Sequence, residues 1–228
     1  MTVTHGGSIQ KPRLPRHLPQ EELVHLQDGL EISSASIRGA DLAGQEASRI
    51  VLEQVSLRQV SLHRSRITGM RLMDARLATC DLSGAAWDDA RLRRVEMVGC
   101  RLQGLQMPGA ELADVAVVDS NLCEAYFGTT RFSNVVFEHC DLTRVNFEGC
   151  DLTGTGFRRC DLTGADLRGA CLQDTDFRSS NLNTVQVGAK ELKGAIIEPG
   201  QAAQVIALLG IQVLEAETTN GDEPSPSG

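Results

Sequence analysis

Histidine, cysteine and carboxylate side chains are the groups from which a catalytic or metal site would be built, and this sequence does not cluster them. No two histidines stand at the spacing of metal ligands; they are His5, His17, His25, His63 and His139. The chain has no Cys-x-x-Cys pair and no glycine-rich phosphate-binding motif. We therefore predict no catalytic residue, no metal site and no cofactor, so that any function must come from the surface of the fold.

The composition argues against several further classes of protein. Only 4% of the 228 residues are aromatic, too few for a platform that stacks on single-stranded nucleic acid. No apolar run approaches the roughly 18 residues of a membrane-spanning helix, and the first twenty residues lack the apolar stretch of a secretory signal. We expect a cytoplasmic protein with reduced cysteines that binds neither a membrane nor nucleic acid directly.

An apolar residue recurs at every fifth position from Ile32 to Ile197, through 34 consecutive positions. The residue two places before each of these centres is mostly small or β-branched, and the other three are largely polar, as in CDLTG at 150–154. A period of five fits neither a helix, at 3.6, nor a strand, at 2. It predicts a backbone that turns a corner every five residues and points two of them inward.

A second period of twenty joins four pentapeptides into one coil. Leucine occupies every twentieth position from Leu42 to Leu182, and Phe137, Phe157 and Phe177 share another column. Coils that stack at the strand spacing of about 4.8 Å would give about 8 coils and a rod about 40 Å long. The columns then become ladders of identical side chains in a narrow interior.

The same column arithmetic places the cysteines and aspartates. Two pairs of cysteines would lie on adjacent coils as buried, unreactive thiols, whereas Cys123 and Cys171 would face outward. The pairs are Cys80 with Cys100 and Cys140 with Cys160. Aspartates recur directly before the leucines, as at Asp141 and Asp161. Their regular spacing is a feature of the repeat and does not indicate a catalytic acid–base pair.

Two stretches carry a family resemblance, SIRGADLAG at 36–44 and CDLTGTGFRRCDLTGADLRGACLQD at 150–174. They resemble the pentapeptide-repeat family, whose consensus is A-(D/N)-L-x-x. The resemblance spans residues 30–199 and implies an all-β solenoid, a right-handed quadrilateral β-helix. With a short helical cap at each end, this is the predicted architecture.

A stacked rod needs cover at both ends. We predict a disordered tail over 1–17, an N-terminal cap over 18–30 that forms a short helix, the β-helix over 31–199, a capping helix within 200–214 and a disordered acidic tail over 215–228. Pro19 suits a first helical position, and Gly210 suits the end of the second helix.

The segment 194–215 is similar to the ending of Qnr-type and MfpA-type family members, and this resemblance implies a tail-to-tail homodimer. The residues expected in that interface are apolar: Val205, Ile206, Leu209, Ile211, Val213 and Leu214. The alternative is that the helix and the residues after it fold back on their own last coil.

Two functions are open. One is a non-catalytic module for protein–protein interaction or scaffolding; the other is a DNA mimic that binds bacterial DNA gyrase. Duplex DNA carries one charge per about 1.7 Å, so a mimic about 40 Å long would need about twenty negative charges. Residues 31–198 carry 19 basic and 23 acidic side chains, and half of the net charge of −8 lies in residues 199–228. Mimicry would therefore need a local patch.

The partner-binding surface predicted from the sequence combines charged residues with two valines on the outward positions. Its members are Asp88, Asp89, Arg91, Arg93, Arg94, Glu111, Asp114, Val98 and Val118, with Val136 nearby on the same face. The partner itself is a protein that the sequence does not identify.

Overall fold

A computed structural model describes residues 9–212. Its strands are short and parallel: β1 Gln20–Glu21, β2 Glu31–Ser33, β3 Ser36–Arg38, β4 Glu46–Ser48, β5 Val51–Glu53, β6 Ser56–Arg58, β7 Arg66–Thr68, β8 Arg71–Ala78, β9 Arg91–Val98, β10 Glu111–Val118, β11 Arg131–Glu138 and β12 Gly156–Arg158. A 3-10 turn, Pro199–Gln201, and helix α1, Ala202–Leu208, follow.

Each coil is hydrogen-bonded to the coil twenty residues further along the chain. Strand β9 pairs with β10 so that Leu92 lies beside Leu112, and β10 pairs with β11 so that Leu112 lies beside Phe132. Single bridges extend the same register, for example from Asp141 to Asp161. The result is a parallel β-solenoid of about seven turns, which confirms the predicted fold class.

The predicted centres of the pentapeptides point inward. All are buried except Ala47, Val187, Leu192 and Ile197, which are half-buried in the first and last coils because they have a neighbouring coil on one side only. The phenylalanine column also forms: the ring centroids of Phe137 and Phe157 lie 5.3 Å apart, and those of Phe157 and Phe177 lie 5.1 Å apart, nearly parallel. Such stacking repeats one packing solution along the rod.

Two threonines at the second inward position bond to the main chain, whereas the hydroxyl groups of Ser65 and Thr155 at equivalent positions have no hydrogen-bond partner. The Thr130 hydroxyl donates to the carbonyl of Met107 at 2.7 Å, and the Thr175 hydroxyl donates to that of Leu152 at 2.8 Å. The donated hydrogen bond offsets the cost of burying a hydroxyl group. A narrow interior therefore accepts threonine where the sequence elsewhere has alanine or cysteine.

The predicted helix over 18–30 does not form. Its first residues form β1, which pairs with β3, and Pro19 accepts a hydrogen bond from Ser36 N–H at 2.7 Å. Leu23, Leu26 and Leu30 pack half-buried against the core. The segment caps the rod as an irregular extra coil. An extended segment offers free main-chain N–H and C=O groups to the first coil, whereas a helix uses these groups for its own hydrogen bonds.

The C-terminal helix does form, and a glutamine fixes it to the rod. The buried Gln201 side-chain amide donates to the carbonyls of Phe177 and Ser180, both at 2.7 Å. Gly210, with φ +73°, follows the helix as predicted. The start of the predicted dimer segment is therefore fixed to the rod by Gln201.

The inward assignment is tested by replacing Leu142, which is fully buried, with lysine. We expect Leu142→Lys to lower the free energy of unfolding by more than about 4 kcal/mol, because it buries an unpaired charge. The matched control, Glu148→Lys, places the same side chain at an exposed site of the same coil and should cost less than about 0.5 kcal/mol. Circular dichroism during urea unfolding measures both; equal midpoints would contradict the assignment.

Candidate functional site

One corner of the solenoid brings four polar side chains, three of them charged, from four successive coils into a column. The column consists of Asp74, Arg94, Asp114 and Asn134, twenty residues apart and each at the centre of one of the long strands β8–β11. All four have φ between +53° and +56°. Aspartate and asparagine tolerate this left-handed conformation, whereas arginine adopts it at a cost. Arg94 is also buried, so its charge needs a partner.

A buried ion pair holds Arg94. Its Nε donates to Oδ1 of Asp74 at 2.6 Å, and its second guanidinium nitrogen donates to Oδ2 at 2.5 Å. The two side chains are 9% and 6% exposed. The hydrogen bonds from Arg94 hold the pKa of Asp74 below its ordinary value. This bidentate geometry is the strongest common form of a carboxylate–guanidinium contact.

The N-terminal arm, residues 9–17, lies along this column. The main-chain N–H of Gln10 donates to Oδ1 of Asp114 at 3.1 Å, and that of Arg13 donates to Oδ1 of Asp74 at 2.9 Å. The prediction of disorder for residues 1–17 is therefore wrong for 9–17, because the carboxylates of the corner hold its main chain. Residues 1–8 lie outside the described part of the chain.

The arm also covers the outward valines. Val98 and Val118 are adjacent in register on β9 and β10 and are half-buried. Val136 on β11 is only 8% exposed although it occupies an outward position. Ile9 and Pro12 of the arm line a cavity of about 220 Å³ together with Val118 and Val136. The sequence predicted an open apolar patch here; in the structure the arm occupies it in part.

The structure separates the other predicted surface residues. Arg91 and Arg93 are exposed on β9, whereas Arg94 is buried, so the three arginines do not form one cluster. Glu111 lies between two arginines on adjacent coils, 3.5 Å from Arg91 and 3.6 Å from Arg131.

The two predicted acidic patches lie in different surroundings. Asp88 and Asp89 are exposed at another corner. Asp89 and Arg91 line a shallow pocket there, together with Arg49 and Arg71. Asp114, by contrast, belongs to the column and accepts a hydrogen bond from Asn134 as well as from the arm. The charges mix in sign at the first of these places.

The residues predicted to form a dimer interface are partly exposed. Val205 is half-buried because it packs against the core of its own rod, as expected if the helix folds back on the last coil. Ile206 is half-buried on α1, while Leu209 is 36% exposed and Ile211 is 55% exposed. Val213 and Leu214 lie outside the described residues. The end of the rod thus presents apolar side chains to its surroundings.

The seven cysteines are free, and five of them are buried. Burial raises the pKa of the Cys150 thiol to about 12. Cys171 is exposed, as predicted, and Cys123 is half-buried beside Arg144. Within residues 9–212, no group of three or more histidine, cysteine or carboxylate side chains could hold a metal ion.

Over the same described range, no helix is long and apolar enough to cross a membrane. The described residues form a β-solenoid. Residues 71–105, 110–149 and 140–183 match the family described as pentapeptide repeats, in eight copies. The chain belongs to the pentapeptide-repeat family.

Solved structures of other pentapeptide-repeat proteins are similar to this chain. HetL, involved in heterocyst differentiation regulation in the cyanobacterium Nostoc, is 18% identical, with 72% of this chain and 90% of that chain covered and a TM-score of 0.41. Full-length QnrB1, a plasmid-mediated fluoroquinolone resistance protein, is 21% identical over 85% of this chain and 100% of that chain, with a TM-score of 0.44. No curated protein sequence matches significantly. At such values the similarity concerns the repeated coil and does not extend to partners.

The Asp74–Arg94 pair generates a prediction about acid stability. The pKa of Asp74 is lowered on folding, so its stabilising effect is present above the ordinary value of 3.8 and is lost as the pH falls through the lower folded pKa. We expect Asp74→Asn to cost about 3 kcal/mol at pH 7 and to lose less stability than wild type below about pH 4.

The control for this prediction is Asp89→Asn, since Asp89 has the same left-handed backbone but is exposed. It should change the free energy of unfolding by less than about 0.5 kcal/mol. Urea unfolding between pH 2.5 and 7 measures both variants. Parallel pH profiles for Asp74→Asn and wild type would contradict the role given to the ion pair.

Proposed function

We propose that the chain is a non-catalytic module for protein–protein interaction that forms a homodimer through residues 200–214. The observation that carries this proposal is the apolar end of the rod, where Leu209 and Ile211 stand exposed beyond an anchored helix. Exposed apolar residues grouped at one end are typical of an interface. The interior is filled by the stacked columns and leaves the outer surface for binding.

The arrangement of charge favours this function over mimicry of DNA. Arginines on one coil pair with carboxylates on the next, as Arg101 does with Asp81 at 3.2 Å and Arg144 with Glu124 at 2.6 Å. Asp166 and Asp176 are paired within their own coils, with Arg168 and Arg178 two residues further along the chain. Such pairing cancels charge locally, whereas a DNA mimic needs a continuous negative field.

Binding to bacterial DNA gyrase is the alternative function, and a supercoiling assay decides it. The protein is titrated against active gyrase with and without a fluoroquinolone. Our proposal predicts neither inhibition nor protection at submicromolar protein. Either effect would replace it with the gyrase-binding alternative.

The dimer is tested by Ile211→Asp, which places a charge on the exposed apolar end. We expect wild type to sediment as a dimer at micromolar concentration and the variant to sediment as a monomer, because a buried unpaired carboxylate opposes association. The control, Ser133→Asp, adds the same charge to an exposed position of β11 outside residues 200–214 and should remain dimeric. A wild-type monomer throughout the concentration range would contradict the proposed dimer.

A further inference from the structure

The N-terminal arm crosses the strands in register with the coils. Its two hydrogen bonds join Gln10 to Asp114 and Arg13 to Asp74, carboxylates that lie two coils apart. Two coils rise by about 9.6 Å, and three residues of extended chain span about 10 Å. The corner column therefore recognises an extended main chain that presents N–H groups three residues apart. Residues other than proline can supply these groups.

The arm is held by few contacts. None of residues 9–17 is buried, and Ile9, Pro12 and Leu14 are half-buried. Unlike a strand of the rod, the arm is attached here through carboxylate side chains on one side only. Segments with so little buried surface open at low free-energy cost.

The groove under the arm is larger than the arm fills. The cavity of about 220 Å³ between Ile9, Pro12 and the valines of β10 and β11 remains beside it. Its apolar floor and open volume suit a side chain bulkier than that of Pro12. A different segment with a larger side chain at this position would bury more apolar surface than the arm does.

The groove favours a cationic segment. Four carboxylates border it, those of Asp74, Asp114, Glu96 and Glu138. Three guanidinium groups stand against them, those of Arg76, Arg94 and Arg158, the last of which lies beside Glu138 in register. The arm matches this excess of negative charge, because it carries Lys11 and Arg13. Complementary charge steers the encounter and fixes the register of a bound segment.

We propose that this groove is a docking site for an extended, cationic segment of a partner protein, and that residues 9–13 occupy it in the same chain until the partner displaces them. The inference rests on the proposed interaction function, and it adds the chemistry of the partner and a means of regulation. The arm acts as an internal competitor, so the apparent affinity for the partner falls with the fraction of chains whose groove is free.

The probe for this site is a labelled peptide with the sequence of residues 9–16, IQKPRLPR, acetylated at its N-terminus. Fluorescence anisotropy measures its binding to the full chain and to the double variant Lys11→Glu/Arg13→Glu, whose arm is repelled by the groove. We expect the variant to bind the peptide about tenfold more tightly than wild type, because the internal competitor is removed. The control, Lys190→Glu/Lys193→Glu, changes the net charge equally at exposed positions outside the arm and the groove and should bind like wild type.

Two N-methylated peptides test the recognition of main-chain N–H groups. Methylation at Gln10 and Arg13 removes the donated hydrogens, and we expect it to weaken binding to the double variant by about tenfold or more. Methylation at Lys11 and Leu14 should leave binding within about twofold. Equal binding of the two peptides, or no gain in affinity on release of the arm, would overturn the proposal.

These outcomes are separable from the fate of the proposed dimer. If the chain sediments as a dimer but does not bind the peptide, the docking site is refuted and the proposed homodimer stands. If the chain binds the peptide but stays monomeric, the docking site is supported and the proposed homodimer is refuted.

Discussion

Main-chain hydrogen bonds between coils twenty residues apart are the constraint on which the whole structure depends. Leu142 N–H donates to the carbonyl of Asp161 at 2.8 Å, and Asp161 N–H donates back to Cys140 at 3.0 Å. Because these bonds fix the spacing of the coils, each inward side chain must fit the one directly above it. Columns of leucine and phenylalanine meet that condition by repetition, which is why the sequence keeps its period without an insertion.

The same constraint organises the surface. Residues twenty apart become neighbours, so Arg144 meets Glu124 and Arg91 meets Glu111 although they are far apart in sequence. At the corner column the rule places Arg94 on Asp74 and leaves Asp114 free to accept from the arm. Pairing along columns cancels charge locally, and the groove under the arm and the apolar end of the rod are the two surfaces that we propose for recognition.

The sequence predicts the repeated part well because its period is a local signal that recurs 34 times. Leu142, Phe157 and helix α1 all lie where the pattern predicts them. The arm and the N-terminal cap were missed because their structure depends on distant residues: Arg13 bonds to a carboxylate 61 positions away. Arg94 was misplaced for a related reason, since its burial depends on an aspartate exactly one coil earlier. Opposite charges at a separation of twenty were the available signal.

Native-state hydrogen exchange on the full chain tests most directly the account of a permanent rod with a releasable arm. The account predicts that the amide of Leu142 exchanges only on global unfolding, whereas the amides of Gln10 and Arg13 exchange by local opening at a lower free energy. Equal protection of all three amides would contradict it, because the arm would then be an inseparable part of the rod.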